Sequence, residues 1–178
     1  GHLPAGPELL APYEMLLFAG HETTRHFLGN ALHALLTTPS AWQELLAHPE
    51  RLPAAVRELL RYDSPVQYTG RRVKTDLLLH GQRIKRGDLV IALIGSANRD
   101  ERVYETPDTL NFARPAKPPL SFGSGAHVCI GAALTLMEAE LVFEAMLKRW
   151  PRLQLTPHGA QRNSNPLYRG LLKLRINT

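Results

Sequence analysis

Apolar residues at helical spacing run from about Glu8 to Leu36, at Leu9, Leu10, Tyr13, Leu16 and Leu17 and again at Phe27, Leu28, Ala31, Leu32, Leu35 and Leu36, and Pro39 stops the run. One helix of that extent is roughly 40 Å long at 1.5 Å per residue, enough to cross a whole domain, so the other elements have to pack around it. Its middle breaks the pattern. The segment AGHETT puts Gly20 and the β-branched Thr23 and Thr24 where better helix formers would be more stable, a glycine there being about 1 kcal/mol worse than an alanine. Two readings account for this. Either something approaches the backbone at Ala19 and Gly20, or the helix packs closely on a neighbour there, with Thr23 and Thr24 bonding back to carbonyls one turn earlier. A zinc-protease helix is excluded by spacing, because His21 and His26 are rotated by about 140° from each other and do not converge on one ion.

Beyond Pro39 the pattern predicts two shorter helices, Ser40–Ala47 and Leu52–Tyr62, the first with Ser40 as its cap. Within the second, Glu58 and Arg61 lie three apart on one face, a pairing worth about 0.2–0.5 kcal/mol on an exposed surface. From Ser64 the pattern becomes that of strands: VQYTGRRV, LLLHG, QRIKRG and LVIALIG, with turns at Gly81 and Gly87. Residues 98–120 hold four prolines and little apolar periodicity, and they read as an ordered loop. SFGSGAHVCIG follows, then a helix to about Lys148 closed by Pro151, and strand-like pieces near Leu155 and Leu172. The expected fold class is mainly α with small β-sheets (α+β), with residues 1–178 forming one unit or part of one.

The cysteine in SFGSGAHVCIG is the only one among 178 residues, and it stands between glycines just before a helical pattern. Unpaired N–H groups and the dipole at a helix N-terminus favour a thiolate, which makes Cys129 a candidate metal ligand; a buried structural thiol is the alternative. A lone cysteine allows no internal disulfide and agrees with a reducing, cytoplasmic compartment. No apolar run is long enough for a membrane helix, and no signal peptide is visible. The net charge of +5 comes from scattered basic residues that are not interleaved with aromatics, which argues against nucleic acid and leaves a basic docking surface for an acidic protein as the alternative to plain solvated faces.

Three of these signals, AGHETT in a long helix, ELLR in a later helix and FGSGAHVCIG before the last helix, occur here in an order that resembles the cytochrome P450 family of haem-thiolate monooxygenases. The segments SPVQYTGRRV, Ala97–Asp100 and Pro107–Arg114 are similar to connecting blocks of its soluble bacterial members, and the resemblance runs from about Met15 to the end.

The resemblance implies a haem b (iron protoporphyrin IX) cofactor with Cys129 as its axial thiolate. It further implies that Gly123, Gly125 and Gly131 let the loop lie close under the macrocycle, that Phe122 covers the sulfur side, and that His127 and Arg71 hold the propionates. Glu22 and Thr23 match the acid and alcohol that deliver protons for O2 activation, with Ala19 and Gly20 leaving room for oxygen. Glu58, Arg61 and Arg114 match a buried ion-pair network of structural importance. Leu110 and Leu136 depart from the family pattern, which commonly has an aromatic and an arginine there. Members of the family are more than twice as long, so the chain corresponds to the carboxy-terminal, haem-ligating portion and is expected to expose a large apolar patch. The implied activity is insertion of one atom of O2 into a small organic substrate, with electrons from NAD(P)H through a ferredoxin or flavodoxin-type redox partner. The alternatives are a peroxide-dependent peroxygenase and a truncated module that binds little or no haem.

Overall fold

The computed structural model describes residues 6–178. Its axis is α1 (Pro7–Thr37), which has proline in the first turn, where a missing N–H breaks no helical bond, and which closes where the Thr38 N–H donates to the Ala34 carbonyl. Next come α2 (Ala41–Ala47) and α3 (Leu52–Tyr62), separated by one 3-10 turn at Pro49–Arg51. The expected cap at Ser40 is not formed. The chain reverses so tightly after Pro39 that Ser40 is left-handed at φ 62°, and its hydroxyl donates back to the Pro39 carbonyl and accepts from no N–H of α2.

In α3 the residues Leu52, Ala55, Val56 and Leu59 recur at three- and four-residue steps and are all buried. They pack with Phe27, Ala31 and Leu35 from the second half of α1, with Trp42 and Leu45 of α2, and with Ala139, Phe143 and Leu147 of α5 (Ala132–Arg149). The Trp42 indole N–H, 3.2 Å from the Pro151 carbonyl, ties α2 to the end of α5. Leu110 and Leu136, the two departures from the family pattern, are half-buried against this core.

The strands form three antiparallel pairs. β1 (Tyr68–Arg72) pairs with β4 (Leu89–Leu93), with Arg71 opposite Val90; between them lies the hairpin of β2 (Leu77–Leu79) and β3 (Gln82–Ile84). After the single turn α4 (Ile94–Ala97) the chain runs through the long loop to α5, and it ends in the pair β5 (Gln154–Arg162) and β6 (Leu171–Asn177). This is the α+β arrangement anticipated from sequence. The first half of α1 exposes Leu10, Tyr13, Leu16, Leu17 and Phe18, and the outer side of α5 exposes Leu134, Met137 and Leu141. Runs of this kind are apolar surface left without a partner. Among the described residues, no helix is long and apolar enough to cross a membrane.

Candidate active site

The cysteine loop is anchored before it turns. Asn98 is fully buried; its amide donates to the Ser64 hydroxyl at 2.8 Å and the Ser121 hydroxyl at 3.0 Å, while its carbonyl oxygen accepts from the Leu120 N–H at 2.8 Å. Ser121 and Ser64 also share a 2.8 Å contact, and each bonds the Leu60 carbonyl at the end of α3. From this clamp the chain makes a 3-10 turn at Leu120–Phe122 and enters Gly123, whose φ of 73° and ψ of −167° define a region only glycine adopts readily. Gly125, at φ 78°, opens a second 3-10 turn ending at His127. The Cys129 N–H then returns to the Phe122 carbonyl at 2.9 Å, and Gly131 caps α5. Cys129 is exposed, with Val128 and Ile130 also exposed on either side, so it is not a buried structural thiol.

The irregular middle of α1 faces outward. Ala19 and Gly20 are exposed, and a Cβ added at Gly20 would meet nothing within 4 Å, so the reading of close packing on a neighbour is corrected: that side of the helix is open. Thr23 does bond back, its hydroxyl donating to the Ala19 carbonyl at 2.9 Å. Thr24 does not. It points inward, its hydroxyl 3.4 Å from that of Thr135, because the buried side of α1 crosses α5 just past the cysteine loop. That contact ties the AGHETT turn to the helix that follows Cys129.

Glu22 accepts from the Arg25 guanidinium at 2.6 Å, and its Oε1 is 3.0 Å from His26 Nε2. The Arg25 hydrogen bond holds the Glu22 carboxyl below the usual carboxylate range, and the charges of Arg25, His26 and His21 act in the same direction. The Arg71 guanidinium turns back to the Thr69 hydroxyl and the Gly70 carbonyl, both at 2.8 Å, on its own strand. His127 is exposed at the end of its 3-10 turn.

The Glu58–Arg61 pair is not an exposed helix pair. Glu58 and Arg61 are 6% and 2% exposed and meet in two parallel contacts of 2.7 and 2.8 Å. Arg61 also donates to the carbonyls of Asn98, Pro107 and Thr109, and Arg114 joins Glu58 at 3.0 Å. One carboxylate and two guanidiniums thus hold the long loop against α3, directly before the cysteine loop begins. Sequence reasoning assigned no role to Asn98 or His26. The ANRD segment was a signal for the first, and the i,i+4 spacing from Glu22 was the signal for the second.

The family profile described as Cytochrome P450 matches residues 7–176. The chain belongs to the cytochrome P450 family. It is 38% identical over 154 residues to the putative cytochrome P450 YjiB of Bacillus subtilis, an alignment covering 86% of this chain and 39% of that protein. It is 40% identical over 173 residues to the polyketide biosynthesis cytochrome P450 PksS of B. subtilis, covering 96% of this chain and 43% of the relative. Among solved structures, the P450 chain superposes on the versatile cytochrome P450 enzyme CYP109B1 from B. subtilis with a TM-score of 0.92 at 35% identity, over 98% of this chain and 48% of that one. It therefore spans about two-fifths of the length of these curated relatives and about half of the solved chain.

Proposed function

We propose that this P450 chain is the haem-ligating part of a monooxygenase that inserts one atom of O2 into a small organic substrate, with electrons from NAD(P)H arriving through a ferredoxin or flavodoxin-type partner. The observation that carries the proposal is the cysteine loop: a single exposed cysteine, presented by two positive-φ glycines and one backbone hydrogen bond between the exposed Val128 and Ile130. The donor set fits haem, because a single soft thiol with apolar neighbours would suit an iron whose remaining protein-independent ligands come from a macrocycle. Bound there, haem b supplies the O2-activating chemistry.

The chain's own residues do the rest. Cys129 would hold the haem iron, with Phe122, Gly123 and Gly125 shaping the loop that presents it and Gly131, at an ordinary φ of −88°, opening α5. His127 and Arg71 hold the propionates, which requires the exposed Arg71 side chain to leave its own strand. Ala19 and Gly20 keep the facing side of α1 free of bulk. Glu22, held anionic by Arg25, accepts and passes protons toward the open turn. The Thr23 hydroxyl has committed its hydrogen to the Ala19 carbonyl, so its oxygen is free to accept a hydrogen bond from a proton carrier beside it.

Thr23→Ala removes that acceptor and should lower product formed per O2 consumed by at least about tenfold, with peroxide rising to match, while Thr23→Ser keeps the coupling. Parallel oxygen-electrode, peroxide and product measurements decide it. An unchanged product-to-O2 ratio in Thr23→Ala contradicts the role given to Thr23.

A further inference from the structure

We propose that His26 is the positioning residue for Glu22 and that Gly170 forms the notch in which the imidazole is seated. This rests on reading Glu22 as the acid of the proton-delivery pair. His26 lies one turn beyond Glu22 on α1, and among the described residues its one polar contact is between Nε2 and Glu22 Oε1, at 3.0 Å. Two side chains approach the same carboxylate, and their surroundings differ. The Arg25 side chain is half-exposed, and an exposed long side chain exchanges readily with water. The His26 ring is 5% exposed and cannot. Arg25 therefore lends Glu22 charge, and His26 fixes the direction of its carboxylate.

The other side of the ring explains why it stays in place. Nδ1 is buried and has no hydrogen-bond partner among the described residues. It faces Gly170, where an added Cβ would fall inside the imidazole. That backbone cannot recede. The Arg169 carbonyl accepts from the Asn30 amide at 2.9 Å, the Arg169 N–H donates to the Pro65 carbonyl at 2.8 Å, and the Gly170 carbonyl accepts from the Asn163 N–H at 3.0 Å. A buried imidazole with one nitrogen left unpartnered is destabilising, and an apolar side chain would fill the same space without that penalty. The contact that sets histidine apart from such a filler is the one to Glu22. Since the described residues offer Nδ1 neither donor nor acceptor, His26 orients the acid and does not feed it protons.

The test is a carbon-13 titration of the Glu22 carboxyl in the complete polypeptide, reduced and saturated with carbon monoxide so that any haem is diamagnetic, with the signal assigned by its loss in Glu22→Gln. The titratable groups facing Glu22 are His21, Arg25 and His26; among the described residues, no charged group from another element lies within 4.0 Å of it. His26→Leu removes the imidazole nitrogen that sits 3.0 Å from the carboxylate and should shift the titration midpoint upward. His26→Gln, which keeps an N–H at similar reach, should return it toward the starting value. Gly170→Ala, which touches Glu22 nowhere, should shift it upward by displacing the ring, and should add nothing in a His26→Ala background. Product per O2 should fall about tenfold in His26→Leu and recover in His26→Gln.

A midpoint that stays in place in folded His26→Leu overturns the proposal, as does a shift in Gly170→Ala that persists when the ring is gone. If Gly170→Ala does not fold, the Leu and Gln variants decide the matter alone. The titration needs no haem, so a wild-type protein that shows the expected shifts without a thiolate spectrum contradicts the proposed monooxygenase and leaves the positioning role standing.

Discussion

Arg61→Ala should lower the free energy of unfolding by about 3–5 kcal/mol, a large part of the 5–15 kcal/mol that holds a typical domain together. The reason is asymmetric. Arg61 and Glu58 are almost wholly removed from water, and taking away the guanidinium leaves the Glu58 carboxylate buried with Arg114 and the Asn111 N–H as its remaining partners. It also takes a donor from three loop carbonyls, releasing those of Asn98 and Pro107 and leaving that of Thr109 with Arg114 alone. The comparison is Arg51→Ala, which breaks an equally short 2.7 Å pair with Glu44, but one whose side chains are 41% and 35% exposed, and which should cost at most about 1 kcal/mol. Urea denaturation with unchanged m-values measures both. Equal midpoints for the two variants would contradict the view that this network clamps the long loop.

Gly123→Ala should destroy haem binding out of proportion to its effect on stability. A side chain at φ 73°, ψ −167° stores about 1–3 kcal/mol of strain. The strain falls next to the Phe122 carbonyl, to which the Cys129 N–H is bonded, so relaxing it moves the cysteine. Gly131→Ala is the control. Its φ of −88° suits any residue, and its Cβ would make an ordinary 3.9 Å contact with Cys129 Sγ. Haem content per polypeptide together with melting temperature separates the cases: Gly123→Ala should melt only a few degrees lower and yet retain little haem, and Gly131→Ala should keep both. Full haem content in Gly123→Ala would show that the loop conformation does not set the ligand.

These outcomes turn on features of unequal visibility in the sequence. The long helix, the strands and the cysteine loop were legible because period, turn residues and glycine spacing are local properties. The E-x-x-R spacing placed Glu58 and Arg61 on one face of α3 but could not say that the face is covered, since the cover is residues 98–120 folding back. Ser40 has the composition of a cap, yet the reversal after Pro39 sets its backbone, and backbone geometry decides capping. The glycine in AGHETT was legible as an irregularity, but whether it admits a neighbour or faces open space depends on packing. His26 and Gly170 meet only through tertiary structure, and neither carries a local signal of the other. The pattern is general: spacing reports which residues share a face, and the rest of the chain determines what that face meets.

The central claim, that Cys129 is the thiolate ligand of a haem in this protein, is tested most directly by the difference spectrum of the reduced protein with and without carbon monoxide. The complete wild-type polypeptide should show the strongly red-shifted Soret band of a thiolate-ligated haem, and Cys129→Ser should lose it while keeping the fold. A wild-type protein that takes up no haem, or a Soret shift that survives in Cys129→Ser, would contradict the assignment.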